Sequence, residues 1–194
     1  ILIRHLPTKG NLQGRYIGLT DEPLCREELN MQEIERKKRL LEIFTPERII
    51  CSPLKRTKET AALFFPGKQI VWWDDLKEMN FGQYEGKNYE ELKTEVAYQR
   101  YIDSGGNSAF PGGETLDEFK TRCIKALYQI LNQCQEEEVV LVVHGGTIMA
   151  MMEELTQKPY FDFQVPCGAG YMIEIDKESM NCTSWYSLIG MEDE

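Results

Sequence analysis

Histidine is scarce in this chain of 194 residues: there are two, His5 and His144. They stand in no H-x-H or H-E-x-x-H spacing, which argues against the usual histidine-rich zinc site. The six cysteines, Cys25, Cys51, Cys123, Cys134, Cys167 and Cys182, include no C-x-x-C pair. Zinc ribbons and thioredoxin-type redox chemistry are therefore disfavoured, and six reduced thiols in a cytoplasmic protein are expected. Apolar runs stop well short of the roughly 18 residues that a membrane-spanning helix needs, and no basic segment followed by an apolar stretch opens the sequence. Positive charge is also short: 22 Lys and Arg against 32 Asp and Glu give a net charge of −10. That balance argues against nucleic acid or an anionic membrane as partner and leaves room only for a local basic pocket. No repeat or low-complexity linker divides the chain, so one domain over 1–194 is expected.

What the chain does contain is an alternation of short apolar runs with amphipathic segments. Ile1–Ile3, Arg48–Cys51, Ile70–Trp73 and Val139–Val143 read as buried strands, and Gly170–Ile175 and Thr183–Leu188 as two closing strands. Helices are expected over Leu24–Phe44, from Ser52 as N-cap and Pro53 as first residue to about Phe64, from Asn88 to about Tyr101, from Thr115 to about Cys134, and over Thr147–Leu155. The stretch from Asp75 to about Gly113, broken by glycines and rich in aromatics, reads as an excursion from the sheet. The pattern predicts an α/β fold, a three-layer sandwich with a mainly parallel central sheet and a small helical excursion over the active site.

In open α/β sheets chemistry gathers beyond the carboxyl ends of the strands. Four such ends here deliver Arg4 and His5, then Arg56, then Glu78, then His144 and Gly145. A guanidinium beside an imidazole favours the neutral, nucleophilic ring, since repulsion is about 4 kcal/mol at ~4 Å and a dielectric of ~20. Thr8, Asn11 and Arg15 supply hydrogen-bond donors on a loop with Gly10, Gly14 and Gly18, whose backbone can approach an anion. Arg56 falls in the first turn of a helix, where free N–H groups already favour an anion, and adds a bidentate phosphate donor. Glu78, among Trp73, Met79 and Phe81, has apolar neighbours that raise a carboxyl pKa and suit it to protonate a leaving oxygen. The aromatics Trp72, Trp73, Phe81, Tyr84, Tyr89 and Tyr98 either line the pocket mouth or pack the excursion against the sheet.

These residues carry a resemblance to the histidine phosphatase superfamily, also called phosphoglycerate mutase-like. Arg4, His5, Thr8 and Asn11 match the opening signature, with Leu6 and Pro7 where Gly and Glu are usual. Ser52–Thr57 resembles the second block, Leu76–Gly86 the third, and His144-Gly145-Gly146 the last; Pro111–Thr115 resembles the element before the long helix. The resemblance implies that His5 attacks phosphorus and becomes a phosphohistidine. It implies that Arg4, Arg56 and His144 hold the phosphoryl oxygens, with Thr8, Asn11 and the backbone at Gly18 and Gly145 assisting. Glu78 would protonate the leaving alkoxide and then activate water. No metal and no cofactor are implied. Residues 14–24 look most like members related to α-ribazole phosphatase, so the expectation is hydrolysis of a small phosphorylated metabolite of the α-ribazole 5′-phosphate type. Mutase-type phosphoryl transfer, a non-catalytic phospholigand-binding protein and a metal-dependent hydrolase are the alternatives. The expected state is monomer or homodimer.

Overall fold

The computed structural model describes residues 1–106, 108–134 and 136–188. Residues 107, 135 and 189–194, which the expected domain includes, lie outside the described residues. The strands are β1 (Leu2–Arg4), β2 (Arg48–Cys51), β3 (Gln69–Trp72), β4 (Val140–Val143), β5 (Gly170–Ile175) and β6 (Cys182–Ser187). They form one sheet in the order β3-β2-β4-β1-β5-β6. β1, β2, β3 and β4 pair in parallel, while β5 and β6 run antiparallel.

The helices are α1 (Lys9–Leu12), α2 (Met31–Leu41), α3 (Lys55–Phe64), α4 (Tyr89–Leu92), α5 (Val96–Asp103), α6 (Leu116–Gln133) and α7 (Gly145–Thr156). Successive strand residues point to opposite faces, and the core divides accordingly. Ile3, Ile49, Cys51, Val140 and Val142 meet Ile34 and Leu41 of α2 and Ala61 and Phe64 of α3. Leu2, Ile50, Leu141 and Val143 meet Leu127 and Ile130 of α6 and Ile148 and Met151 of α7. Burial of each large apolar side chain is worth roughly 1.5–3 kcal/mol, so strands apolar on both faces need helices on both. The three layers follow.

Three of the helix boundaries that differ from expectation have identifiable causes. Within Leu24–Phe44 the chain makes a single 3-10 turn at Arg26–Glu28, and α2 begins only after Asn30, whose side chain accepts from the N–H groups of Gln32 and Glu33. The helix after Ser52 starts at Lys55, with Leu54 rather than Ser52 at its N-cap; the Ser52 hydroxyl is engaged by His144 instead. Asn88 does cap a helix, through a capping box with Glu91, but the helix stops at Leu92 and a second one begins at Val96. Six helical steps of 100° would set Leu92 and Tyr98 about 120° apart. The break lets both enter one aromatic cluster with Tyr84 and Phe110, where Phe81, Tyr16 and Tyr101 also pack. Thr115 opens α6 as expected, through a capping box with Glu118.

Trp72 and Tyr89 remain exposed, and the other expected mouth aromatics pack within the excursion or, for Trp73, against the α6–α7 side of the sheet. All six cysteines are free thiols. Among the described residues, no helix is long and apolar enough to cross a membrane.

Candidate active site

The four strands whose ends carry the expected residues are neighbours in the sheet, so Glu78, Arg56, His144 and Arg4-His5 converge on one edge. His5 follows β1 and is buried; its Nδ1 lies 2.6 Å from the Leu6 carbonyl oxygen. A carbonyl only accepts, so Nδ1 carries the proton and Nε2 keeps its lone pair. Burial, then the Arg56 and Arg4 charges, hold the imidazole well below its usual pKa of 6.5. The Leu6 side chain, in place of the usual Gly, turns into the core beside Leu24 and Ile34, and its N–H is held by Thr60 Oγ1 at 2.9 Å.

Arg4 donates from Nη1 to the Val165 carbonyl at 2.6 Å, and its Nε, though buried, has no hydrogen-bond partner among the described residues. An unpaired buried donor on a cation is costly, and an anion bound in the cleft would satisfy it. Arg56 is fully buried, and burial lowers its pKa. Of its five N–H groups, four are engaged: Nε with His144 Nδ1 at 3.2 Å, Nη1 with Thr20 O at 2.7 Å, and Nη2 with Gly18 O at 2.7 Å and Ile17 O at 3.4 Å. It supplies charge and one remaining Nη1–H rather than the open fork expected from sequence.

His144 is the N-cap of α7, which begins at Gly145 rather than Thr147. Its Nδ1 accepts from Arg56, so Nε2 bears the proton and faces Ser52 Oγ at 2.8 Å. Both ring nitrogens are thus partnered within the protein. The ring lies edge-on to His5 with centroids 5.2 Å apart. Burial first, then Arg56, His5, Arg4 and Arg122, keep it neutral.

Glu78 is buried beside the α7 N-terminus, where Gly146 N–H donates to Oε2 and Met79 N–H to Oε1, each at 2.9 Å. Burial raises its pKa against the opposing pull of those N–H groups and of Arg56 and Arg4. Glycine is needed at 146, because a Cβ there would lie 2.4 Å from Glu78 Oε1. The loop carrying Glu78 is held by Arg122 of α6, which donates to the carbonyls of Asp75, Lys77 and Glu78 and pairs with Glu114. Arg4, Glu78, Gly145, Gly146, Met149, Gln164, Val165 and Pro166 line an open cleft of about 490 Å³.

The remaining expected residues are placed differently. Thr8 and Asn11 form the capping box of α1, with Asn11 Oδ1 accepting from Thr8 N–H and hydroxyl. Arg15 is drawn to Glu91 in the excursion. The Gly18 N–H, expected to meet phosphate, donates to Glu85 at 3.1 Å. Sequence reasoning missed Ser52 as the partner of His144, Arg122 as the anchor of the Glu78 loop, Glu85, and the Val165 carbonyl. Of these, Ser52 and Glu85 stood in the stretches Ser52–Thr57 and Leu76–Gly86 already singled out. Among the described residues, no group of three or more His, Cys, Asp or Glu is placed to hold a metal ion.

The family model of the histidine phosphatase superfamily (branch 1) matches residues 1–187. The chain belongs to the histidine phosphatase superfamily. One relative, the metal-independent phosphoserine phosphatase of Arabidopsis thaliana, is 32% identical over 165 residues, 81% of this chain and 68% of its own. The adenosylcobalamin/alpha-ribazole phosphatase of Salmonella typhimurium is 27% identical over 183 residues, 90% of this chain and 89% of its own. The crystal structure of the alpha-ribazole phosphatase from Shigella flexneri shares the fold with a TM-score of 0.81 at 24% identity, covering 94% of this chain and 92% of that one. Phosphatases among the superfamily relatives support an enzymatic phosphatase.

Proposed function

We propose that this superfamily member is a metal-independent phosphomonoesterase that works through a phosphohistidine on His5. The observation that carries the reading is the Nδ1 contact to the Leu6 carbonyl, which leaves Nε2 unprotonated near the half-buried Arg4, whose Nε has no partner among the described residues. In the first step Nε2 attacks phosphorus, the P–O bond to the leaving alkoxide breaks, and the Glu78 carboxyl gives that oxygen its proton. In the second, the Glu78 carboxylate takes a proton from water, the oxygen attacks phosphorus, and the His5–P bond breaks to release phosphate. Arg4 Nε, the remaining Arg56 N–H and the Gly145 N–H at the start of α7 offset charge on the phosphoryl oxygens.

A small metabolite of the α-ribazole 5′-phosphate type is the leading substrate, supported by the Salmonella relative. Hydrolysis is favoured over mutase chemistry because, among the described residues, Arg4 is the only basic side chain lining the cleft beside Glu78; a phosphoglycerate would bring a carboxylate in need of a second cation. The test is a phosphatase screen over a metabolite panel with the unmodified protein and His5→Ala, each with and without a strong chelator. Expected are free phosphate, an acid-labile phosphoenzyme that disappears in His5→Ala, a fall in turnover of at least about 10³-fold in that variant, and no effect of chelator. Turnover surviving in His5→Ala would overturn the mechanism, and activity restored only by added metal would overturn the metal-independent reading.

A further inference from the structure

Glu85 lies in the excursion, away from the reacting atoms, yet its carboxylate gathers five donors. Oε1 accepts from the N–H groups of Leu19 at 2.9 Å and Phe81 at 3.1 Å; Oε2 accepts from the N–H groups of Gly18 at 3.1 Å and Thr20 at 3.2 Å and from the Thr20 hydroxyl at 2.6 Å. A carboxylate offers about four lone-pair sites, so its accepting capacity is filled. The segment it holds turns its carbonyls the other way, and those of Ile17, Gly18 and Thr20 receive the Arg56 guanidinium. Arg56 Nε in turn meets His144 Nδ1, and His144 Nε2 meets Ser52. The same segment is tied to the excursion by Tyr16 N–H to Lys87 O and Gly86 N–H to Tyr16 O. At Gly18 a Cβ would lie 1.8 Å from the Met79 carbonyl, so it packs directly against the Glu78 loop.

We propose that Glu85 is a positioning residue: by clamping residues 18–20 it holds Arg56 against His144, and so fixes which His144 nitrogen carries the proton. Its consequence for turnover rests on the phosphatase reading; the clamp itself does not. The charged and titratable groups acting on the two rings are Arg56 and Arg4 for His5, and Arg56, His5, Arg4 and Arg122 for His144. Glu78, Glu85, Asp21 and Glu22 act on Arg56.

The experiment uses Glu85→Gln, which keeps the shape but turns an amide donor toward a ring of donors. Because the chain has two histidines, proton NMR resolves both imidazoles without further labelling. With Arg56 released, both imidazole pKa values are expected to rise by at least about half a unit. With p-nitrophenyl phosphate, kcat is expected to fall about tenfold or more, and the acid limb of kcat/KM to move to higher pH. Introduced into Arg56→Ala, the same change is expected to cost less than about twofold, because the residue it acts through is gone. Thr20→Val removes one hydroxyl donor without an opposed dipole and should move the titrations in the same direction by less. It decides the matter if Glu85→Gln fails to fold. Unchanged imidazole titrations in a folded variant, or equal cost in both backgrounds, overturn the proposal. A protein that hydrolyses no ester defeats the phosphatase reading alone, since the titrations still decide this one.

Discussion

At the scale of single residues, the two ionisable groups of the proposed first step are tuned in opposite directions. Reaction requires neutral His5 and protonated Glu78, so kcat/KM is expected to be bell-shaped in pH. The depressed His5 pKa places the acid limb below 6.5, and the raised Glu78 pKa places the alkaline limb above 4.5. Glu78→Gln is expected to lower kcat on alkyl phosphates by about 10²–10⁴-fold and to abolish the alkaline limb, as a pH–rate series on both proteins will show. An unaltered alkaline limb in the variant would assign it to another group. Arg4, His5 and His144 were legible in the sequence because each ends an apolar run. The Ser52 partnership was not, because a serine between a strand and a helix reads equally well as a cap, and only the strand order brings it to His144.

At the scale of elements, capping chemistry carried most of the readable information. The helix starts at Thr115 and Asn88 were legible, and the boxes that make them are local, each within four residues; the early stop of α4 was not, because it serves a cluster of residues distant in sequence. Thr115→Ala removes the acceptor for the Glu118 N–H at 3.1 Å and is expected to cost about 1 kcal/mol in urea unfolding, with little change in turnover. Gly146→Ala makes the opposite case. It stands in the first turn of α7, where alanine would suit the helix, yet its Cβ would collide with Glu78. Activity should therefore fall by about tenfold or more, while the melting temperature changes little. Retained activity would mean that the carboxyl can shift without loss.

At the scale of the whole molecule, the buried histidines couple folding to pH. Both have folded-state pKa values below the unfolded 6.5, so the unfolded chain binds more protons as pH falls through that value, and stability is lost on the acid side. Between pH 6.5 and 5 the slope has an upper limit of about 2.7 kcal/mol per unit for two protons, reduced by Glu78, whose raised pKa acts with the opposite sign above 4.5. Urea midpoints across that range measure it, and a stability independent of pH there would contradict the burial of both rings. Layering and the run of parallel strands followed from the apolar pattern. The strand order did not, because nothing local tells β4 to enter between β1 and β2.

The Arg4–Val165 contact joins residues 161 positions apart, because β5 runs opposite to β1 and its entry loop returns to the same edge. A chain interrupted anywhere before that loop leaves the first arginine without its anchor. Catalysis by the proposed route therefore requires the chain to be folded through that loop. Contacts so distant in sequence form late and slowly, so recovery of turnover during refolding should lag behind the return of helical signal and coincide with the last tertiary phase.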